Sequence, residues 1–196
     1  MSATLTTVEP QHPLGERNGL RLAVRRRPQR DTGQFIRVPD SPDLIRGVRV
    51  ERAQCWPDDR GYFLEVMRQG VGLGSELGTN NLQVSCARSY PGTIKALHYH
   101  FEQSDLWVPV VGQLQVCLFD LRAGSETFGV CNTLFIGTLQ PWQLLIPPGV
   151  GHGYKVIGPD SAVLVYVTNR FYNPADEGRL PYNDPGLNYD WETQHK

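Results

Sequence analysis

Three of the five histidines in this chain, His98, His100 and His152, lie in its β region and are candidates for shared chemistry. His98 and His100 are separated by one residue, so on a β-strand both imidazoles would project from the same face, about 6.6 Å apart along the chain. Asp105 follows shortly, and His152 lies further along. Three interpretations are open: the imidazoles pack as ordinary strand residues, they bind a metal ion with the carboxylate, or one of them accepts a proton from a substrate.

The metal interpretation assigns three nitrogens and one oxygen to Zn, Fe, Mn or Ni. Its ligands are His98, His100, Asp105 and His152. The spacing of residues 92–112 and 147–152 resembles the two motifs of metal-binding cupins, although Asp105 stands where Glu is usual. The metal and proton-transfer interpretations compete for His98, because a metal-bound imidazole has no lone pair left to accept a proton.

The segments that carry these residues are typical of β-strands. Short apolar or alternating runs are separated by Gly and Pro from about residue 45 onward, and hardly any stretch shows a helical period over 12 residues. Ten strands are predicted: 48–54, 61–67, 82–89, 93–99, 105–111, 113–121, 134–136, 143–146, 153–157 and 162–169. Apolar residues occupy both faces of segment 113–121, so both faces should be covered. The pattern predicts an all-β sandwich or jelly-roll barrel.

Composition limits the domain organisation and the partners. The chain has 196 residues, 40% hydrophobic, with 19 Lys+Arg against 20 Asp+Glu. This size predicts one domain over residues 44–196. We expect the Pro- and Arg-rich residues 1–43 to form an extension, and its Arg25-Arg26-Arg27 run to belong to a solvated, mobile arm or to a segment that binds anions or a partner. The balanced charge does not favour nucleic-acid binding.

Cysteine usage and apolar run lengths predict the compartment. The four cysteines form no C-x-x-C pair, and no segment resembles a signal peptide. The apolar runs are far shorter than the ~20 residues that a membrane span needs. We therefore expect reduced thiols in a cytoplasmic protein that does not cross a membrane.

Five motifs and one single tyrosine, in order over residues 45–191, resemble the dTDP-4-dehydrorhamnose 3,5-epimerase family, a branch of the cupins that acts on nucleotide-linked 4-keto-6-deoxy sugars. Residues 59–65 (DRGYFLE) resemble D-x-R-G-F-F-x-E, and residues 95–99 (KALHY) resemble R-G-L-H-Y. Residues 119–129 (FDLRAGSETFG) are similar to V-D-L-R-x-G-S-P-T-F-G, and residues 147–154 (PPGVGHGY) to I-P-x-G-F-A-H-G-F. Tyr166 falls on the family's Y-K tyrosine, and residues 183–191 resemble its W-D-D-P…W ending. The resemblance implies a cupin-type jelly roll.

The resemblance also implies an isomerase that moves a proton beside the C4 ketone of the sugar, for epimerisation at C3, C5 or both. His98 would be the base and Tyr166 the acid, and no cofactor would be needed. The expected substrate-binding residues are Arg60 and Lys95 at the nucleotide diphosphate, with Glu65, Gln83, Ser89 and His152 lining the pocket. Family members exchange N-terminal strands, which implies a homodimer in which Arg60 reaches the neighbouring pocket.

Three departures from the family affect this expectation. Asp105 stands where the family has a lysine thought to stabilise the enolate oxygen, and His100 replaces a glutamine. The family's L-S-x-K-D segment, whose Asp orients the His base, is not found after Trp191. The first two changes move the pocket towards a metal site.

Three functions therefore stay open. The first is a nucleotide-sugar epimerase. The second is a metal-dependent cupin enzyme, such as an oxygenase or a small-molecule isomerase. The third is a cupin that binds a nucleotide sugar without catalysis.

Overall fold

The computed structural model of the chain describes residues 12–192, so residues 1–11 of the expected extension and the last four residues lie outside the described part. The described residues form fifteen β-strands and one short 3-10 turn, Gly72–Ser75. In chain order the strands are β1 (His12–Arg17), β2 (Leu20–Val24), β3 (Gln34–Phe35), β4 (Arg49–Arg52), β5 (Cys55–Asp58), β6 (Gly61–Leu64), β7 (Gln83–Ser89), β8 (Ile94–His100), β9 (Asp105–Val111), β10 (Gln113–Asp120), β11 (Cys131–Gly137), β12 (Trp142–Ile146), β13 (Val150–Ile157), β14 (Ala162–Thr168) and β15 (Glu177–Arg179). The predicted all-β class is confirmed.

Two sheets face each other, as in a jelly roll. The larger has the order β15-β8-β13-β10-β11-β3, and the smaller has the order β4-β12-β9-β14-β7. All pairings within them are antiparallel except that of β3 with β11. Strands that are distant in sequence lie side by side in both sheets, which is the pattern of Greek-key connections. Each of the ten predicted strands matches an observed strand to within three residues at either end.

The inner faces of the two sheets form the main core. Leu114, Val116 and Leu118 of β10 are fully buried against Leu144 of β12 and Leu164 of β14. Burying a side chain of this size contributes about 1.5–3 kcal/mol relative to exposure. The core therefore fixes the distance between the sheets, and with it the width of any cavity between them.

A second apolar layer covers the outer face of the larger sheet. Cys117 and Phe119 of β10 are buried there, so both faces of this strand are covered as predicted. The cover comes partly from Leu22 and Val24 of β2. Arg25 and Arg26 are exposed, but the expectation of a solvated arm is wrong for the chain around them, because β2 packs on the domain and β3 pairs with β11.

A third cluster lies on the outer face of the smaller sheet, where Leu106 and Val167 pack against Leu73 of the 3-10 turn. Strands β5 and β6 form a separate two-stranded sheet with exposed Trp56 and Phe63. The four cysteines have free thiols, as expected. Among the described residues, no helix has the length and apolar character needed to cross a bilayer.

Candidate active site

A cavity of about 390 Å³ opens between the two sheets, beside the main core, which supplies Leu164 to its wall. It is lined by polar and aromatic residues from both sheets: Gln83, Ala87, Lys95, His98, His100, Gln103, Asp105, Trp107, His152, Tyr154, Leu164, Tyr166, Thr168, Tyr172, Glu177 and Arg179. Convergent polar groups on an apolar wall are typical of a small-molecule site.

The two residues expected to transfer protons enter this cavity from facing sheets. His98 lies on β8, opposite His152 of β13 on one side and Arg179 of β15 on the other. Tyr166 lies on β14, opposite Trp107 of β9. Because side chains alternate along a strand, His98 and His100 both reach the cavity, as their spacing predicted. An imidazole and a phenol therefore line the same space from opposite walls.

His98 is partly buried, with 35% of its side chain exposed. Burial lowers its pKa below 6.5, the nearby His152 lowers it further, and the Glu177 carboxylate acts in the opposite direction. The Nδ1 atom of His98 lies 3.5 Å from Oε2 of Glu177. The imidazole is therefore favoured in its neutral form, the form that can accept a proton.

Asp105 is buried and held by three donors. Its carboxylate accepts hydrogen bonds from Gln103 Nε2 at 2.7 Å and Trp107 Nε1 at 3.3 Å, and it lies 3.4 Å from His152 Nε2. Burial raises the pKa of Asp105, but the hydrogen bond and charge of His152, with His100 and Gln103, outweigh it and leave the pKa below its ordinary value. The residue that replaces the family's lysine is therefore a stabilised carboxylate.

Three of the four candidate metal ligands converge. One ligand atom each of His100, Asp105 and His152 lies within 4.8 Å of the others, and all three residues are buried. Two imidazoles and a carboxylate could hold a divalent ion. The two imidazoles also have protein partners, since His100 Nε2 lies 3.4 Å from Gln103 Nε2 and His152 Nδ1 lies 2.9 Å from the Val150 carbonyl oxygen. His98 lies outside this cluster.

The expected pocket-lining residues divide into two groups. Gln83, Lys95 and His152 line the cavity. Ser89 is buried behind it, where its hydroxyl lies 2.9 Å from the hydroxyl of Tyr154. Ser89 thus contacts the wall of the cavity rather than its interior.

Arg60 and Glu65 do not line the cavity of their own chain. Arg60 lies at the turn between β5 and β6, pairs with Asp58, and has 83% of its side chain exposed. Glu65 pairs with Arg68 at 2.6 Å. Within a single chain, the structure does not bring these two residues together with His98.

The sequence analysis missed several residues of the site. Glu177 and Arg179 come from the three-residue edge strand β15, and Tyr172 from the loop before it, where its backbone N–H donates to Gln83 Oε1 at 2.9 Å. This part of the chain is polar, so no periodic pattern marks it as a strand. Gln103 and Trp107 lie on either side of Asp105 in the sequence. Their role as its hydrogen-bond donors becomes evident only when Asp105 is known to be buried.

A larger cleft of about 570 Å³ lies elsewhere on the surface, between the β1–β2 hairpin and the turn after β10. Arg21, Arg46 and Arg122 line it, but Arg122 is held by Asp120 and Arg46 by Glu126. It has no histidine or tyrosine among its lining residues. The cavity between the sheets is therefore the better candidate for proton transfer.

Comparison with known proteins gives one consistent family. The family model for dTDP-4-dehydrorhamnose 3,5-epimerase matches residues 43–196. The spore coat polysaccharide biosynthesis protein SpsL of Bacillus subtilis is 41% identical over 155 residues, which cover 78% of this chain and 100% of SpsL.

Solved structures of similar fold carry related names. NovW, a 4-keto-6-deoxy sugar epimerase from the novobiocin gene cluster of Streptomyces spheroides, aligns with a TM-score of 0.68 and 27% identity, covering 82% of this chain and 81% of that one. A dTDP-6-deoxy-D-glucose-3,5-epimerase of Legionella pneumophila, solved with dTDP-4-keto-L-rhamnose, aligns with a TM-score of 0.63 and 27% identity over 76% of this chain and 80% of its own.

Proposed function

Because the chain belongs to the dTDP-4-dehydrorhamnose 3,5-epimerase family, we propose that it is a nucleotide-sugar epimerase that inverts C3, C5 or both in a dTDP-4-keto-6-deoxyhexose. The observation that carries this proposal is the placement of His98 and Tyr166 on opposite walls of one cavity. Inversion of a carbon centre needs a base on one face of the sugar ring and an acid on the other. Residues from facing sheets meet this requirement.

The C4 ketone makes the reaction feasible. A proton on C3 or C5 is acidic because the electron pair left behind delocalises onto the carbonyl oxygen as an enolate. His98 takes this proton, and the hydroxyl group of Tyr166 returns one to the opposite face. The same number of protons and electrons leaves and returns, so the reaction needs no redox group. Membership of the family supports this cofactor-free mechanism.

His152 faces the carboxylate that stands where the family has its lysine. Its Nδ1 lies 2.9 Å from the Val150 carbonyl oxygen and its Nε2 lies 3.4 Å from the Asp105 carboxylate. Gln103 and Trp107 also donate hydrogen bonds to Asp105, so polar partners within the pocket surround this buried carboxylate.

The mouth of the cavity suits a nucleotide diphosphate. Lys95 and Arg179 line it, and 68% of the Arg179 side chain is exposed. Arg60 of the partner subunit would add a third cation in a homodimer. This arrangement is supported by the position of Arg60 outside its own cavity and by the exposed Trp56 and Phe63 beside it. The free thiols support a reducing compartment, and hence a cytoplasmic location.

The test is isotope exchange on the intact protein. Incubation with dTDP-4-keto-6-deoxyglucose in deuterated water should place deuterium at C3 or C5, followed by NMR. His98→Asn should reduce the rate by about 10²- to 10⁴-fold. Absence of exchange with the natural protein, or undiminished exchange with His98→Asn, would contradict the proposal.

Treatment with a chelator distinguishes this function from the metal-dependent alternative. That alternative needs a test because His100, Asp105 and His152 form a cluster that could hold a metal ion. We expect activity to survive dialysis against EDTA, because each of these side chains has a protein partner. Loss of activity that is restored by one divalent metal would favour the alternative. Binding of dTDP without exchange would favour the non-catalytic one.

A further inference from the structure

We propose that Glu177 is the positioning residue for His98: its carboxylate holds the imidazole with Nδ1 protonated and leaves Nε2 free to take the substrate proton. The inference rests on the proposed function, in which His98 is the base. It supplies, from an edge strand, a carboxylate partner that the motifs around His98 do not reveal. The two groups are 79 residues apart in sequence (177 − 98) and come together only through the pairing of β15 with β8.

The pairing that brings Glu177 to His98 is tightly defined. In the register of β15 on β8, Arg179 lies opposite His98 and Glu177 opposite His100. Leu97 and Leu180 exchange two backbone hydrogen bonds of 2.9 Å just beyond the strand end. Between them, Gly178 packs so closely on Tyr99 that an added Cβ would lie 2.0 Å from a ring carbon. Any other residue at this position would push β15, and Glu177 with it, away from β8.

Each carboxylate oxygen of Glu177 faces a different partner. Oε1 accepts a hydrogen bond of 2.6 Å from Arg179 Nε, and Oε2 lies 3.5 Å from His98 Nδ1. The second contact is longer than the ~2.7–3.2 Å of an ordinary N–H···O hydrogen bond, and we expect it to shorten into that range when the imidazole becomes charged. The side chain of Glu177 is only 11% exposed, so little water competes for these contacts.

This arrangement determines the tautomer of His98. An ionised carboxylate only accepts hydrogen bonds, so the nitrogen that faces it carries the hydrogen, and the other nitrogen keeps its lone pair. Once His98 has taken a proton through Nε2, the adjacent carboxylate stabilises the imidazolium. The same division of roles operates in acid–base dyads of unrelated enzymes.

Glu177→Gln tests the inference sharply because glutamine has one oxygen for two partners. Arg179 is a permanent cation and would keep the amide oxygen, which turns the NH2 group towards His98 Nδ1. His98 must then accept at Nδ1 and carry its hydrogen on Nε2, so the nitrogen that should take the proton no longer can. We expect kcat to fall at least about 100-fold, with KM changed by less than about threefold.

The matched control is Glu126→Gln, which changes an exposed glutamate that also pairs with an arginine, Arg46, far from the cavity. It should leave kcat unchanged. The tautomer itself is read by 15N NMR of the imidazole nitrogens in the substrate-free protein, with His98 assigned by the signals lost in His98→Asn. The natural protein should show a protonated Nδ1, and Glu177→Gln a protonated Nε2.

A second variant distinguishes loss of the proposed contact from a folding defect. In Glu177→Gln/Arg179→Met the competing guanidinium is gone, so the amide oxygen can turn to His98 and the protonated Nδ1 should return. A protonated Nε2 in the natural protein, or an unchanged tautomer in Glu177→Gln, would overturn the inference. The NMR result does not depend on turnover, so a natural protein that shows the expected tautomer but exchanges no deuterium would overturn the proposed function and not this contact.

Discussion

At the scale of single residues, His98 and Tyr166 have different tasks, and their loss should have different consequences. Tyr166→Phe keeps the aromatic ring but removes the proton donor. We expect formation of the inverted sugar to fall by about 10²- to 10⁴-fold. Deuterium exchange should continue, because His98 can return a deuteron to the face from which it took the proton. Both are measured by NMR of the sugar in one experiment.

The control for this prediction is Tyr182→Phe, because the Tyr182 ring is half exposed and does not line the cavity. It should change neither exchange nor inversion. Equal loss of exchange and inversion in Tyr166→Phe would show that the phenol is needed before the proton leaves, which contradicts its role as the acid.

The pH dependence of kcat/KM should report the environment of His98. Burial lowers its pKa, with His152 of β13 and Arg179 of β15 acting in the same direction and Glu177 and Asp105 opposing them. A base with a lowered pKa remains unprotonated to more acidic pH. The acidic limb of the kcat/KM profile should therefore have its midpoint below 6.5, the ordinary value for histidine. A midpoint at or above 6.5 would contradict the role of His98 as a partly buried base.

Residue types alone predicted part of this site. The one-residue spacing of His98 and His100 predicted that both face the same cavity, and they do. The environment of Asp105 could not be predicted, because Gln103, Trp107 and His152 become its partners only through strand packing. Glu177 was not predicted either. It lies on an edge strand of three residues, which is too short to leave a periodic signal in the sequence.

At the scale of elements, β2 is the clearest difference between expectation and structure. Arginine-rich sequence around it suggested a solvated arm, yet Leu22 is fully buried on the outer face of the larger sheet. The short alternation of β2 was hidden by its flanking charges. By contrast, β9 and β10 have long apolar or alternating runs with Gly112 between them, and their bounds were predicted to within one residue.

The packing of β2 has a measurable consequence for stability. Leu22→Ala should lower the free energy of unfolding by about 2–5 kcal/mol, because truncation of the buried leucine side chain leaves a cavity. Leu139→Ala is the control, since Leu139 is 87% exposed and its truncation should change stability by less than about 0.5 kcal/mol. Denaturant unfolding of both variants gives the comparison. Equal free energies of unfolding for Leu22→Ala and Leu139→Ala would contradict a stabilising role for the packing of β2.

At the scale of the whole molecule, the proposed homodimer shares residues between its two cavities. We consider the case in which Arg60 of one subunit completes the cavity of the other. Arg60→Ala then impairs the cavity of the neighbouring subunit, whereas His98→Asn impairs the cavity of its own subunit. A mixed dimer then has one intact cavity and one that carries both defects. Random exchange of subunits makes half of the dimers mixed, so about one quarter of the cavities should be intact.

We therefore expect a mixture of the two impaired proteins, after subunit exchange, to recover about one quarter of the natural activity. The control is each variant mixed with itself under the same conditions. Recovery no greater than the average of the two separate activities would show that Arg60 does not act across the dimer.

The central claim is that one sugar ring lies between His98 and Tyr166, and a crystal structure with bound dTDP-glucose, which lacks the C4 ketone and does not react, tests it most directly. The account predicts His98 Nε2 and the Tyr166 hydroxyl on opposite faces of the ring, with the diphosphate near Lys95 and Arg179. A sugar with both groups on one face, or bound in the arginine-lined cleft instead, would contradict it.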